Sequence, residues 1–419
     1  MSYVAHLRCK ECGKTYPLTP RTVCDVDFAP VEVDYHYDDM KGKVTRASIE
    51  AGPRSLWRYK DLLPIEGQPV AGLRSGFTPL FKAERLAAEL GVKELYIKDD
   101  SANYPSFSYK DRVVAVAVTK AKEFGFDTVG CASTGNLAHS VAAHAAAAGL
   151  KAFVMIPHDL EEGKIIGTLV FGPKMVKIQG NYDDVNRLCT QIADKYGWAI
   201  VNVNLRPYYT EGAKTHGFEI AEQFGWKLPQ HTVLPVAGGT ILPKVYKGYQ
   251  EFIKLGLVED NSPRMYAAQA AGCNPVVDAI EKGLEVFKPQ KPNTIAKSIA
   301  IGNPADGFYV SQVIKNSGGW GASATDSEII DAIKLLAQTE GIFTEPAGGT
   351  TLAGAIKLIQ SGRIPRDESI CVCITGNGLK TIEVLQGQFV TAPAIPAKLS
   401  AFDEVVAFYE EQAAAHAHA

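Results

Sequence analysis

Lys110 stands in the stretch PSFSYKDR, residues 105–112, directly ahead of the apolar run VVAVAV. Ser108 and, three residues on, Asp111 read as a capping-box-like pair opening a helix, which puts the Lys110 amine in the first helical turn. A cation there meets the positive end of the helix dipole, an arrangement that favours the neutral amine. A neutral amine can form an imine with a carbonyl compound. The plain alternative is a solvated lysine, and eight residues alone do not decide between the two.

Three glycine-bearing junctions supply further chemistry. In CASTGNLAHS an apolar strand ends at Ser133, Thr134, Gly135 and Asn136, and a helix follows. Hydroxyls, a glycine and an amide at a helix start form a nest suited to a carboxylate. In LPVAGGTILPK, residues Val236, Ala237, Gly238, Gly239 and Thr240 lead from a strand into the next helix. Close backbone approach and a hydroxyl at that turn suit a phosphate dianion, although the spacing is neither that of a P-loop nor that of a dinucleotide fingerprint. In CVCITGNGLK a strand delivers Thr375 to a Gly-Asn-Gly turn, and a hydroxyl at a buried strand end needs a partner, either main chain or a ligand's ring nitrogen. Each loop read singly is an ordinary turn. Read together with Lys110 they offer an amine, a phosphate cup, a partner for a ring nitrogen and a carboxylate nest. Pyridoxal phosphate carrying an amino acid requires those four features.

The elements that must position these groups alternate along the chain. From about residue 110, helical patterns such as DRVVAVAVTKAKEFG and NLAHSVAAHAAAAG are separated by short apolar β-rich runs such as DTVGCA, KAFVMIP, KMVKIQG, AIVNVN, HTVLPVAGG, RMYAAQAAG and SICVCITG. This predicts α/β architecture with two doubly wound parallel sheets, since the strands outnumber one comfortable twisted sheet. The expected organisation is a short N-terminal segment at 1–35, a larger cofactor-binding domain from 36–111 and 206–395, a smaller domain at 112–205, and a C-terminal helix with a frayed tail at 396–419. In such folds ligands collect at the carboxyl ends of strands, where the three glycine turns lie.

Composition narrows the class. The chain of 419 residues is 46% hydrophobic and 21% charged with a net charge of −3, which is ordinary for a soluble globular protein and points away from nucleic-acid or membrane-surface partners. The opening MSYVAHLRCKECG lacks the apolar core of a secretory signal, and eight cysteines without one suggest reduced thiols and a cytoplasmic location.

The ordered motifs GFTPL (76–80), SYKDR (108–112), STGNLA (133–138), EGAKT (211–215), VAGGTI (236–241), GNP (302–304), GIFTEPAGGTTLAG (341–354) and TGNGLK (375–380) resemble those of the fold-type II pyridoxal-phosphate enzymes. Within that group, which includes tryptophan synthase β and the serine and threonine dehydratases, they are most similar to the threonine synthase family. The resemblance implies that Lys110 binds the cofactor covalently and then shuttles protons, and that Asn136 bonds the phenolic oxygen. It implies that Ser133, Thr134 and Gly135 cradle the substrate carboxylate, that Val236 through Thr240 hold the cofactor phosphate, and that Thr375 faces the ring nitrogen. The implied reaction is that of a phosphate-releasing carbon–oxygen lyase, converting O-phospho-L-homoserine and water to L-threonine and phosphate. Arg112, Arg206 and Lys214 flank the motifs and are the candidates for the substrate phosphate. The alternative on the same fold is a β-elimination or β-replacement enzyme, such as a threonine/serine dehydratase or a cysteate synthase. A homodimer is common in the family. Departures are present: Phe107 and Tyr109 add bulk beside the lysine, Val113 stands where glycine is usual, and Arg206 lies a few positions from the usual arginine.

The N-terminal segment carries a different signal. Cys9 and Cys12 in RCKECG, followed by Cys24 and Asp27 in VCDVD, look like a zinc ribbon whose fourth ligand has become an acid. It reads either as a small zinc-bound interaction module or as a relic that folds without metal. The acidic stretch DVDFAPVEVDYHYDD beside it argues against nucleic acid. Cys371 and Cys373 are taken as core thiols facing opposite sides of their strand.

Overall fold

Short apolar runs, several of them ending at glycine turns, form most strands of the computed structural model, which describes residues 3–417 except 134, 159–161 and 181. A three-stranded antiparallel sheet opens the chain, formed by β1 (Val4–Cys9), β2 (Thr15–Tyr16) and β3 (Val31–Tyr35) in the order β2-β1-β3. A six-stranded sheet follows from β4 (Leu80–Lys82), β5 (Glu94–Asp99), β10 (His231–Pro235), β11 (Arg264–Ala270), β12 (Gly321–Ala324) and β13 (Ser369–Ile374). Its order is β12-β11-β10-β13-β5-β4, parallel apart from the antiparallel β4 at one edge. The third sheet, β8-β7-β6-β9, is parallel and is built from β6 (Thr128–Ala132), β7 (Lys151–Pro157), β8 (Lys174–Ile178) and β9 (Ala199–Ile200). β6, β10 and β13 are buried along their whole lengths, as parallel strands covered on both faces must be.

Two local readings of the sequence need correction. The run AIVNVN supplies only a two-residue strand, because the Asn204 side chain replaces the ladder: its Oδ1 accepts from Ile200 N–H at 2.8 Å and its Nδ2 donates to the Trp198 carbonyl at 3.0 Å. Cys371 and Cys373 are two apart on a strand of period two and so share a face, both buried.

Residues 382–419 form a separate unit containing the helix Leu399–Ala417, with Ala392 N–H donating to the Tyr409 hydroxyl at 3.1 Å. Among the described residues no helix is long and apolar enough to cross a membrane.

Candidate active site

Lys110 is the first residue of the helix Lys110–Glu123, but Ser108 and Asp111 do not form the expected capping box. Ser108 pairs in a bridge with Gly376, and Tyr109 N–H donates to the Thr375 carbonyl at 2.8 Å, so the chain is drawn against the end of β13 instead of winding into a cap. Asp111 instead accepts from Ser106 N–H at 3.0 Å, from the Ser106 hydroxyl at 2.7 Å and from the Ser140 hydroxyl at 2.7 Å. The result sets Lys110 beside Thr375, two residues that lie far apart in the sequence.

Both line a cavity of about 210 Å³, together with Tyr109, Ser133, Gly135, Asn136, Arg206, Tyr209, Ala237, Gly238, Gly239, Thr240 and Glu345. The Lys110 amine donates to the Tyr209 hydroxyl at 3.2 Å. Burial first, then the charge of Arg206, lowers its pKa to about 8, with Glu345 pulling the other way. A lysine so placed gives up its proton far more readily than a free lysine and is neutral above about pH 8, the property a Schiff-base nucleophile needs.

The turn expected to hold the cofactor phosphate is shaped by glycine. Gly239 has φ +91°, and a Cβ there would lie 2.8 Å from the Asp306 main chain, whereas a Cβ on Gly238 would meet only Ile301 at 3.9 Å. The turn delivers the start of the helix Ile241–Lys254 to the cavity, with Thr240 at its cap. Asp306 braces it by donating its N–H to the Gly238 carbonyl, accepting from the Thr240 hydroxyl at 3.0 Å and pairing with Arg206 at 2.7 Å. Val236 was expected in this cup but is buried behind it: its N–H donates to the Ala268 carbonyl and its carbonyl accepts from Gln269.

At the second loop the helix Asn136–Ala148 begins against the cavity. The Ser133 hydroxyl accepts from Gly135 N–H at 3.0 Å and from Ala138 N–H at 2.9 Å, pinning the turn. Thr134 lies outside the described residues. Asn136 is bracketed by two groups the sequence reading did not assign. Its Nδ2 donates to Glu345 at 2.9 Å, and its Oδ1 accepts from Lys380 at 2.7 Å. Glu345 reaches this position only because residue 376 is glycine, where a Cβ would lie 2.3 Å from the carboxylate. Both newly found residues belong to quoted motifs, TEPAGG and TGNGLK, so their presence was legible although their contacts were not.

Arg112 and Lys214 do not reach the cavity, which corrects their proposed place at the substrate phosphate. Arg112 is fully buried between two carboxylates, donating to Asp100 at 2.6 and 2.7 Å and to Glu219 at 2.5 and 2.8 Å. Burial alone would raise the Asp100 pKa, yet Arg112 and then His216 hold it well below the ordinary range. Lys214 is likewise buried, paired with Glu211 at 2.6 Å and Glu251 at 2.9 Å and bonded to the Leu62 carbonyl. Arg206 alone of the three candidates lines the cavity.

The cavity suits pyridoxal phosphate on its own chemistry. It has a lysine amine of lowered pKa, a glycine cup at a helix start, and the buried Tyr109 hydroxyl on its wall, which has no hydrogen-bond partner among the described residues. At the other end of the chain, the ligand atoms of Cys9, Cys12, Cys24 and Asp27 lie within 4.8 Å of one another.

Comparison with known proteins agrees. The family described as "Pyridoxal-phosphate dependent enzyme" matches residues 73–376. A threonine synthase of Methanocaldococcus jannaschii is 39% identical over 376 residues, covering 89% of this chain and 92% of the relative. One of Methanosarcina acetivorans is 38% identical over 404 residues, covering 96% and 98%. Among solved structures, a diaminopropionate ammonia lyase from Escherichia coli superposes with a TM-score of 0.65 at 18% identity, covering 83% of this chain and 94% of that one. Maize serine racemase gives 0.62 at 19%, covering 75% and 93%, and at such identities these two speak for the fold alone. The extent of these matches, over a chain whose cavity holds Lys110, leads to one conclusion: the chain belongs to the fold-type II pyridoxal-phosphate-dependent enzymes and, among them, to the threonine synthases.

Proposed function

We infer that this chain converts O-phospho-L-homoserine and water to L-threonine and phosphate. The observation that carries the reading is 38% identity to a threonine synthase across 96% of the chain. When bound at Lys110, pyridoxal phosphate supplies the electron sink that makes the substrate's Cα proton acidic. The Lys110 amine is the proton carrier: its Nζ would take the Cα proton and then a Cβ proton before the γ-phosphate departs, and would return one proton to Cγ and, once water has added at Cβ, one to Cα.

The remaining roles rest on where the side chains stand. Ala237 through Thr240 hold the cofactor phosphate at the start of the Ile241–Lys254 helix, a position favourable to an anion. Thr375 offers the ring nitrogen a neutral hydroxyl, which leaves the sink weaker than a carboxylate partner would and so favours elimination and replacement over transamination. Ser133 and Gly135, with Thr134 in the same loop, take the substrate carboxylate. Arg206 takes the substrate phosphate, since a guanidinium can serve Asp306 and a phosphate through different N–H groups. Glu345 and Lys380 orient Asn136 toward the cofactor's phenolic oxygen.

A cytoplasmic enzyme acting on a small phosphorylated amino acid, without nucleic-acid partners, is part of the same proposal, supported by eight unpaired cysteines and a net charge of −3. A homodimer is proposed on the family resemblance alone. The test is to incubate the cofactor-loaded protein with O-phospho-L-homoserine and to quantify threonine and inorganic phosphate together. Equimolar release supports the reading. Cofactor binding without either product would overturn it and move attention to phosphoserine with sulfite.

A further inference from the structure

The N-terminal sheet is small: its strands have six, two and five residues. Its inward side chains Leu7, Tyr16, Val31, Val33 and Tyr35 pack into the main core, and turns at the end of a sheet this small are commonly stapled by a metal or by disulfides. Two tight turns face each other at one end of the sheet. The first leaves β1 at Cys9 and returns through Gly13, with Cys9 N–H donating to the Lys14 carbonyl at 2.8 Å. The second runs from Cys24 to Ala29, with Cys24 N–H donating to the Ala29 carbonyl at 2.9 Å and a bridge between Val23 and Pro30 closing it. Between them the turns present three sulfurs and one carboxylate.

The spacing of those atoms is the informative quantity. A tetrahedral zinc with Zn–S arms of about 2.3 Å sets S···S edges of roughly 3.8 Å, and a Zn–O arm of about 2.0 Å sets S···O edges of roughly 3.5 Å. Cys12 Sγ and Cys24 Sγ are 3.7 Å apart, Cys9 Sγ lies 3.3 Å from Asp27 Oδ1, and all four donors fall within 4.8 Å. Supporting contacts orient the donors in the way metal ligands are usually held. Ala29 N–H donates to Asp27 Oδ1 at 3.0 Å, and Val26 N–H points at Cys24 Sγ from 3.4 Å.

We propose that Cys9, Cys12, Cys24 and Asp27 form a structural zinc site. The closed four-donor set suits a structural ion, and the three thiols each release a proton as Zn²⁺ binds. Zinc there fixes the turn whose two inter-cysteine residues grip the rest of the molecule. Glu11 accepts from the Tyr309 hydroxyl at 2.7 Å, and the Lys10 ammonium lies 3.4 Å from the centroid of the Tyr309 ring. Tyr309 belongs to the helix that begins at Gly307, directly after Asp306, the residue that braces the phosphate cup.

The experiment is elemental analysis of the full-length protein, purified with reduced thiols and supplied with Zn²⁺, then dialysed exhaustively. One zinc per chain is expected, falling to background in Cys12→Ser, whose side chain is exposed and whose loss should leave the fold intact by circular dichroism. Asp27→Cys provides a second variant that should retain zinc, and Co²⁺ in its place should give the visible bands of a tetrahedral thiolate site. A double variant His416→Ala, His418→Ala controls for capture by the tail and should also retain one zinc. The proposal is overturned if wild type holds no zinc, if Cys12→Ser holds as much as wild type, or if the tail variant loses it. It is equally overturned if iron occupies the site, or if mass spectrometry finds Cys12 and Cys24 oxidised to a disulfide in the reduced preparation.

Discussion

Lys110 and Arg112 are two residues apart on one helix and illustrate opposite uses of a buried cation. Arg112 is enclosed by Asp100 and Glu219, which also accepts from Lys98 at 2.7 Å, so two cations and two carboxylates balance in a cluster with no solvent exposure. Lys110 turns to the cavity, where its bonded neighbour is the Tyr209 hydroxyl. Opposite charges at bonding distance fix protonation and geometry; a hydroxyl and partial burial leave an amine free to react. The lesson is that proximity to a motif says little about function until the partners of each charge are known. Lys214, enclosed by Glu211 and Glu251, repeats the case of Arg112.

Breaking the reactive side should have the largest effect. Lys110→Ala is expected to lose the covalently bound cofactor absorbance and to lower turnover by at least ~10³-fold, the upper part of the range for losing a general acid–base. Activity within tenfold of wild type would remove Lys110 from its role. Breaking the structural side should leave chemistry in place while lowering stability. Arg112→Ala removes one cation from between two buried carboxylates, leaving Glu219 to Lys98 and Asp100 to His216, and should destabilise the fold by about 3–5 kcal/mol, measurable by urea unfolding, with residual folded protein still binding cofactor. A stable variant lacking cofactor absorbance would reverse the assignment.

Arg206→Ala sharpens the contrast between cations. Loss of a charge-assisted bond is worth about 1.5–3 kcal/mol, so KM for the phosphorylated substrate should rise roughly 10–150-fold while the bound-cofactor spectrum is unchanged. An unchanged KM would count against Arg206 at the substrate phosphate. The smallest effect is in pH. Because the folded Lys110 pKa lies near 8 and below the ordinary 10.5, the apo protein's amine is protonated below about pH 8. Cofactor loading should therefore quicken about tenfold per pH unit up to that point and then level. Over the interval from about 8 to 10.5 the unfolded chain holds the extra proton, so this group's contribution to apo stability rises with pH across that window. A loading rate flat from pH 6 to 9 would contradict the lowered amine.

Much of the frame was legible because glycine turns after apolar strands leave a local signature. The turns at 133–136, 238–239 and 375–378 all arrive at the cavity except for Thr134, which lies outside the described residues. What was not legible depends on pairings made by the fold. Asn136 meets a carboxylate 209 residues away, and Arg112 meets one 107 away, distances over which sequence pattern carries no information about partners. The Ser108–Asp111 pair failed for the same reason, since the segment is captured by Gly376 at the end of β13. The N-terminal cysteines were visible by spacing, but whether their turns would converge required the sheet that brings them together.

The central claim is that Lys110, and neither its arginine neighbour nor the nearby Lys380, is the residue built for covalent chemistry. Borohydride reduction of the cofactor-loaded protein, followed by peptide mass spectrometry, tests it directly. The reduced cofactor is expected on Lys110 alone. Finding it on Lys380, on another lysine or on none would contradict the account.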